Sequence, residues 1–93
     1  MNKTKKRREA ILKMDNQTKF KVIFNSFRKG KRFLKVSPNK LKRFIGFNYF
    51  QHASLMFLFV KEKYIEKIEI SKHYYGVTQK GISFLEKQGF SFD

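Results

Sequence analysis

Cysteine and tryptophan are missing from this 93-residue chain, proline occurs once, and only seven residues are acidic. Without cysteine there is no disulfide, no thiolate zinc site and no cysteine nucleophile, and the absence fits a reducing cytoplasm, the expected compartment. Long apolar runs are missing too. The longest, Leu55–Val60 (LMFLFV), is far short of the roughly 20 residues a membrane-spanning helix needs. The opening MNKTKKRREAILKM has a basic region with no apolar stretch of signal-peptide length behind it, so neither a membrane nor export is expected. There is no G-x-x-x-x-G-K-[ST], no paired carboxylates in an apolar setting and no nucleophile–His–acid arrangement. His52 and His73 lie far apart, neither with a second ligand at metal spacing. Asp15, Glu62, Glu66, Glu69 and Glu86 all read as surface residues. The expectation is a protein that is not an enzyme and uses no metal or cofactor.

What is present is positive charge. Lys and Arg number 22, for a formal net charge of +15. The charge is also segregated: Asn16 to Lys61 contains eleven Lys or Arg and no Asp or Glu. Such a field draws polyanions, of which nucleic acid and anionic membrane are the obvious ones. The bland alternative is the composition of a lysine-rich proteome, which usually adds glutamate in step.

A single domain is expected from the length, with residues 1–17 as a basic arm or short helix and 18–93 as the folded unit. Asp15 or Asn16 can cap a helix over Thr18–Lys29, where Phe20, Ile23, Phe24 and Phe27 fall at i, i+3, i+4, i+7. Arg32–Val36 alternates weakly, as a short strand would. Ser37-Pro38 starts a short helix to about Ile45, with Leu41, Phe44 and Ile45 inward, and Gly46 ends it. Asn48 offers the cap of a longer helix through Lys61 or Glu62; two helices joined by a tight glycine-containing turn form a helix-turn-helix. Tyr64–Ile70 and Tyr74–Val77 read as two strands joined by a polar turn at Ser71-Lys72-His73. Thr78 caps a last helix, with Gly81 in its first turn allowing a neighbouring backbone to come close.

Three stretches carry a resemblance: Asn48-Tyr49-x-Gln51, Val60-Lys61-Glu62-Lys63-Tyr64-Ile65 and, most specifically, Tyr75-Gly76-Val77-Thr78-Gln79-Lys80-Gly81-Ile82-Ser83-Phe84-Leu85-Glu86. They resemble the start of the recognition helix, the "LLEKGLI" passage into the wing and the "Y-x-LT-x-KG-x-x-FLE" signature of the archaeal small winged-helix DNA-binding family, which includes regulators, chromatin-type proteins and proteins of archaeal viruses and plasmids. With Ser37–Gly46 the likeness covers roughly the last 57 residues. It implies an α+β fold, a winged helix-turn-helix of three helices, a two-stranded wing and a C-terminal helix. Location in the nucleoid, or in a host cytoplasm for a viral protein, follows. Lys63 departs from the family's usual glycine. His52 replaces an apolar residue, which reads as a partly buried histidine instead of a base reader. Phe50, Ala53 and Phe57 are apolar where the family is commonly charged, giving this helix a second apolar face.

The expected roles follow from how such helices dock. Residues near the start of a helix in the major groove read base edges; here these are Asn48, Tyr49, Gln51 and Ser54, with Asn48 also the natural cap. Arg28, Lys29, Lys31, Arg32, Lys35, Lys40, Lys42 and Arg43 surround the preceding helix, which crosses the phosphate backbone and positions the protein without reading sequence. Lys72 and His73 would bring the wing to backbone or minor groove. Lys3, Lys5, Lys6, Arg7 and Arg8 would be a DNA-tracking arm or a solubilising tail. The twelve Phe and four Tyr invite single-strand stacking, but most lie at core spacing, where each contributes about 1.5–3 kcal/mol by burial. Phe57, Phe84, Phe90 and Phe92 are the expected homodimer contacts. Three functions compete: a homodimeric regulator of double-stranded DNA, an architectural protein that coats DNA without preference, and a winged-helix interaction module.

Overall fold

The computed structural model describes residues 3–68 and 72–92. Its elements are α1 (Lys3–Leu12), α2 (Asn16–Phe27), β1 (Arg28–Lys29), β2 (Phe33–Lys35), α3 (Pro38–Ile45), α4 (Tyr49–Lys61), β3 (Ile65–Lys67), β4 (Tyr74–Val77) and α5 (Gln79–Lys87). The fold is α+β. Four of the helices begin where a short polar side chain can accept from an orphan backbone N–H. Asp15 accepts from Thr18 N, Ser37 from Lys40 N, Asn48 from Gln51 N and Thr78 from Gly81 N. The backbone N–H bond to Asp15 holds that carboxyl below its ordinary value. Pro38 occupies the first turn of α3, and Gly46 closes that helix in the left-handed region at φ 81°.

The four strands form one antiparallel sheet in the order β1-β2-β4-β3. β4 lies centrally: Leu34 faces Tyr75 on one side and Glu66 faces Gly76 on the other. Of the expected strand Tyr64–Ile70, the described residues show Ile65–Lys67 as β3. Ile68 N–H still donates to Tyr74 O, and Glu69, Ile70 and Ser71 lie outside the described residues. Lys63, where a glycine is usual in the resembling family, has φ 63°. The chain turns from α4 into β3 in the conformation glycine adopts most easily, here with a lysine.

One core unites the helices and the sheet. Phe20, fully buried, stacks on Tyr64 with centroids 4.7 Å apart and planes within 9°, and meets Phe59 edge-on at 5.3 Å. Ile23, Phe24, Leu34, Leu41 and Leu85 are likewise completely buried. A Cβ on Gly81 would strike the Tyr64 carbonyl oxygen and come within 2.8 Å of Val77 Cγ1, so α5 needs a glycine there to lie against the chain leaving α4.

Several expectations are corrected. Of the basic arm and the short helix expected over residues 1–17, the described residues form the helix, so Lys3, Lys5, Lys6, Arg7 and Arg8 are neither a tail nor an extended arm. This helix, α1, packs on α3, with Arg7 donating to Phe44 O at 2.7 Å and Arg8 to Gly46 O at 3.4 Å. These guanidiniums satisfy carbonyls that the end of α3 leaves open. Phe44, expected inward, is 48 % exposed, because α3 seats Leu41 and Ile45 and leaves Phe44 on its flank. Phe84, expected on the core or a dimer partner, and Phe90 and Phe92, expected at a dimer contact, all pack on their own chain. Phe84 lies 5.8 Å from Tyr64; Phe90 meets Phe24 edge-on at 5.4 Å; Phe92 is buried 5.9 Å from Phe24. The cause is local. Gly89, at φ 98°, reverses the chain after α5, and Phe90 N–H returns to Leu85 O, folding the tail across Phe24.

Candidate nucleic-acid interface

The basic residues expected at phosphates fall into three settings. Arg28, Lys29, Lys35 and Lys40 converge, although they come from β1, β2 and α3. Together with Phe44 they line a groove of about 210 Å³ between the β1–β2 hairpin and the first turn of α3. Antiparallel pairing of Arg28 with Leu34 and Lys29 with Phe33 sets the hairpin against that helix. Lys31 and Arg32 are exposed at the hairpin turn beside Gly30. Lys42 and Arg43 are exposed on the last turn of α3. Arg28 is the most constrained of the set. Its guanidinium lies 4.9 Å over the Phe24 ring and 5.9 Å over Phe90, and its Nε–H donates to Gly30 O. The aromatic faces hold it in place and leave fewer of its donors for a ligand. Of the segment's flanking carboxylates, Asp15 is engaged in capping α2.

The expected base readers fare differently. Asn48 and Gln51 form a reciprocal capping box: Gln51 N–H donates to Asn48 Oδ1 at 2.8 Å, and Asn48 N–H donates to Gln51 Oε1 at 2.9 Å. Two orphan donors of α4 are satisfied in this way, so the acceptor oxygens of both side chains are committed to the helix. Tyr49 and Ser54 are exposed. The rest of the exposed face of α4 is Phe50, Ala53, Phe57 and Val60, with Lys61 at its end.

His52 is buried, as the histidine-in-core alternative expects, and its Nε2–H donates to Val36 O at 2.7 Å. The carbonyl can only accept, so Nε2 carries the proton. His73, expected to face outward from the wing, turns inward. Its ring meets that of His52 edge-on at 5.6 Å, and its carbonyl accepts from Val36 N–H. The two histidines thus bracket Val36 at the end of β2. Lys72 is exposed. Partial burial and the neighbouring His52, Lys72 and Lys67 lower the His73 pKa from 6.5. The folded chain therefore binds a proton there less readily than the unfolded chain. Stability from this site is complete above the unfolded value and is lost as pH falls through the lower, folded one. Thermal melts are expected to show lower melting temperatures as pH drops below about 6.5, and His73→Asn should flatten that dependence. Asparagine tolerates the left-handed φ of 63° at this position.

Among the described residues no group of three or more His, Asp or Glu is close enough to hold a metal ion, and no described helix is long and apolar enough to cross a membrane. Comparison with protein-family models, with curated proteins and with solved structures finds no match.

Proposed function

We propose that this protein binds double-stranded DNA through a winged helix-turn-helix, chiefly by phosphate contacts. The observation that carries the reading is the convergence of Arg28, Lys29, Lys35 and Lys40 on one groove, in a segment free of Asp and Glu. The element order supports the scaffold. α3 and α4 are joined by a tight turn at Gly46, and β3 and β4 form an antiparallel pair that leads into α5. On this reading α3 crosses the sugar–phosphate backbone while the hairpin cations and Lys42 and Arg43 extend the contact along it. Lys72 on the wing adds a further cation.

With Asn48 and Gln51 engaged in the capping box, little of α4 remains to discriminate bases, which favours an architectural binder with weak sequence preference. The exposure of Tyr49 and Ser54 favours a second reading, a regulator with a preferred site. Both predict steep salt dependence. If six of the eight phosphate candidates engage, log Kobs against log salt should fall with a slope of about −5, near −0.9 per neutralised phosphate. A flat plot for a duplex of random sequence would remove the proposal. Enrichment of binding sites from a random pool separates the two readings: a selected motif supports the regulator, and none supports coating.

A further inference from the structure

The outward face of α4 carries a run of exposed apolar side chains that phosphate contact leaves unused. Tyr49 and Phe50 are each 74 % exposed, Phe57 69 % and Val60 42 %, with Ala53 exposed between them. Isolated apolar residues on a surface are ordinary, but a contiguous patch of aromatics marks an interaction site. Beside the patch lies a groove of about 380 Å³ lined by Leu12, Phe47 and Leu55, by Phe50 and Phe57 of the patch itself, and by Lys19 and Lys61.

We propose that this face pairs with the same face of a second copy, α4 against α4 about a two-fold axis. Three observations select that occupant. First, the stretch from Phe44 to Val60 contains no charged residue. Two chains of +15 repel nearly everywhere, whereas along this stretch they meet on uncharged side chains, with Lys19 and Lys61 lining the groove alongside. Second, the face carries both a projection, Phe57, and a groove beside it. An isologous contact requires such self-complementarity, because each copy offers the other the same patch. Third, the area suffices. Three aromatics, each about three-quarters exposed, with Val60 and Ala53, present roughly 500 Å² per protomer; the pair then buries roughly 1,000 Å², the lower bound of a specific interface. Stacking of single-stranded bases is the competing use of exposed aromatics. It needs cations interleaved with the rings to hold the backbone; here none lies between Tyr49 and Val60, and Lys19 and Lys61 stand in the neighbouring groove. Pairing in this way closes α4 to the major groove and leaves nucleic-acid contact to the α3–hairpin surface.

The inference does not rest on the duplex reading, and salt separates the two. Screening weakens repulsion between like-charged chains, so added salt should tighten the dimer while loosening DNA. The test is sedimentation equilibrium of the full chain without DNA, over a concentration series that reaches about 100 µM, where a pair with a Kd on the order of 1 µM is almost fully formed. The expected mass is twice the chain's 11.2 kDa. It should fall to the single-chain value in Phe57→Lys and in Phe50→Ser, with circular dichroism unchanged because both positions are exposed. A monomeric wild type in high salt overturns the proposal, as does a dimer that both variants leave intact. Binding of oligo(dT) by the wild type that Phe57→Lys abolishes would assign the face to stacking instead.

Discussion

A chain with Lys29, Lys35 and Lys40 all changed to alanine is expected to bind duplex DNA on the order of 10²–10³-fold more weakly near 0.1 M salt, with its salt slope shallower by about 2.7. The three residues are exposed, come from β1, β2 and α3, and line one groove. Each neutralised phosphate contributes about 0.9 to the slope. Losing three contacts therefore changes the slope and the affinity together and leaves any sequence preference alone. Fluorescence anisotropy with a labelled duplex across a salt series measures both. None of the three side chains belongs to the core, so the fold should survive, and surface changes of this kind usually move stability by less than about 0.5 kcal/mol each. An unchanged slope would place the DNA contacts elsewhere on the molecule.

The largest effect on stability is expected from Phe20→Ala. Phe20 has no exposed surface and touches Tyr64, Phe59, Phe24 and Phe84 at centroid distances of 4.7–6.3 Å. Its removal empties the junction of α2, α4, α5 and the chain entering β3. Truncating a buried phenylalanine costs about 3–5 kcal/mol, much of the roughly 5–15 kcal/mol that holds a small domain together. A melting temperature lower by at least about 12 °C follows for a chain of this size, read by circular dichroism. Phe57→Ala is the control. The residue is equally large but 69 % exposed, so the variant's melting temperature should barely change at a dilution where the chain is single and no pairing adds to stability.

The contrast between these two phenylalanines also marks how far the sequence could be read. The helices α2 to α5 were legible because apolar periodicity and caps agree: Asp15, Ser37, Asn48 and Thr78 each precede a helix whose buried residues recur every three or four positions. The strand pair β3–β4 was visible in its aromatic and β-branched residues. β1 was not. Two basic residues become a strand only because the turn at Gly30 folds them back on Phe33 and Leu34. α1 was faint because its residues show little amphipathic pattern; contacts with α3 through Arg7 and Arg8 supply what propensity does not. Asn48 and Gln51 are the instructive case. A polar cap followed three residues later by glutamine is the signature of a capping box, yet the same two side chains are also good base readers, and local spacing favours the cap. His52 and His73 stand 21 positions apart, and no local pattern announces that both hold Val36. The groove of cations was legible as composition and not as geometry, since hairpin pairing brings its members together.

The sheet has a bearing on how the chain avoids its own kind. Its two border strands, β1 and β3, are two and three residues long and carry Arg28, Lys29, Glu66 and Lys67. A strand from another molecule would find scarcely one rung to extend, lined with charge, and charged, abbreviated borders are a common guard against fibre growth. The apolar face of α4 can therefore remain on the surface of a single chain while the described borders of the sheet offer a second chain little backbone to pair with.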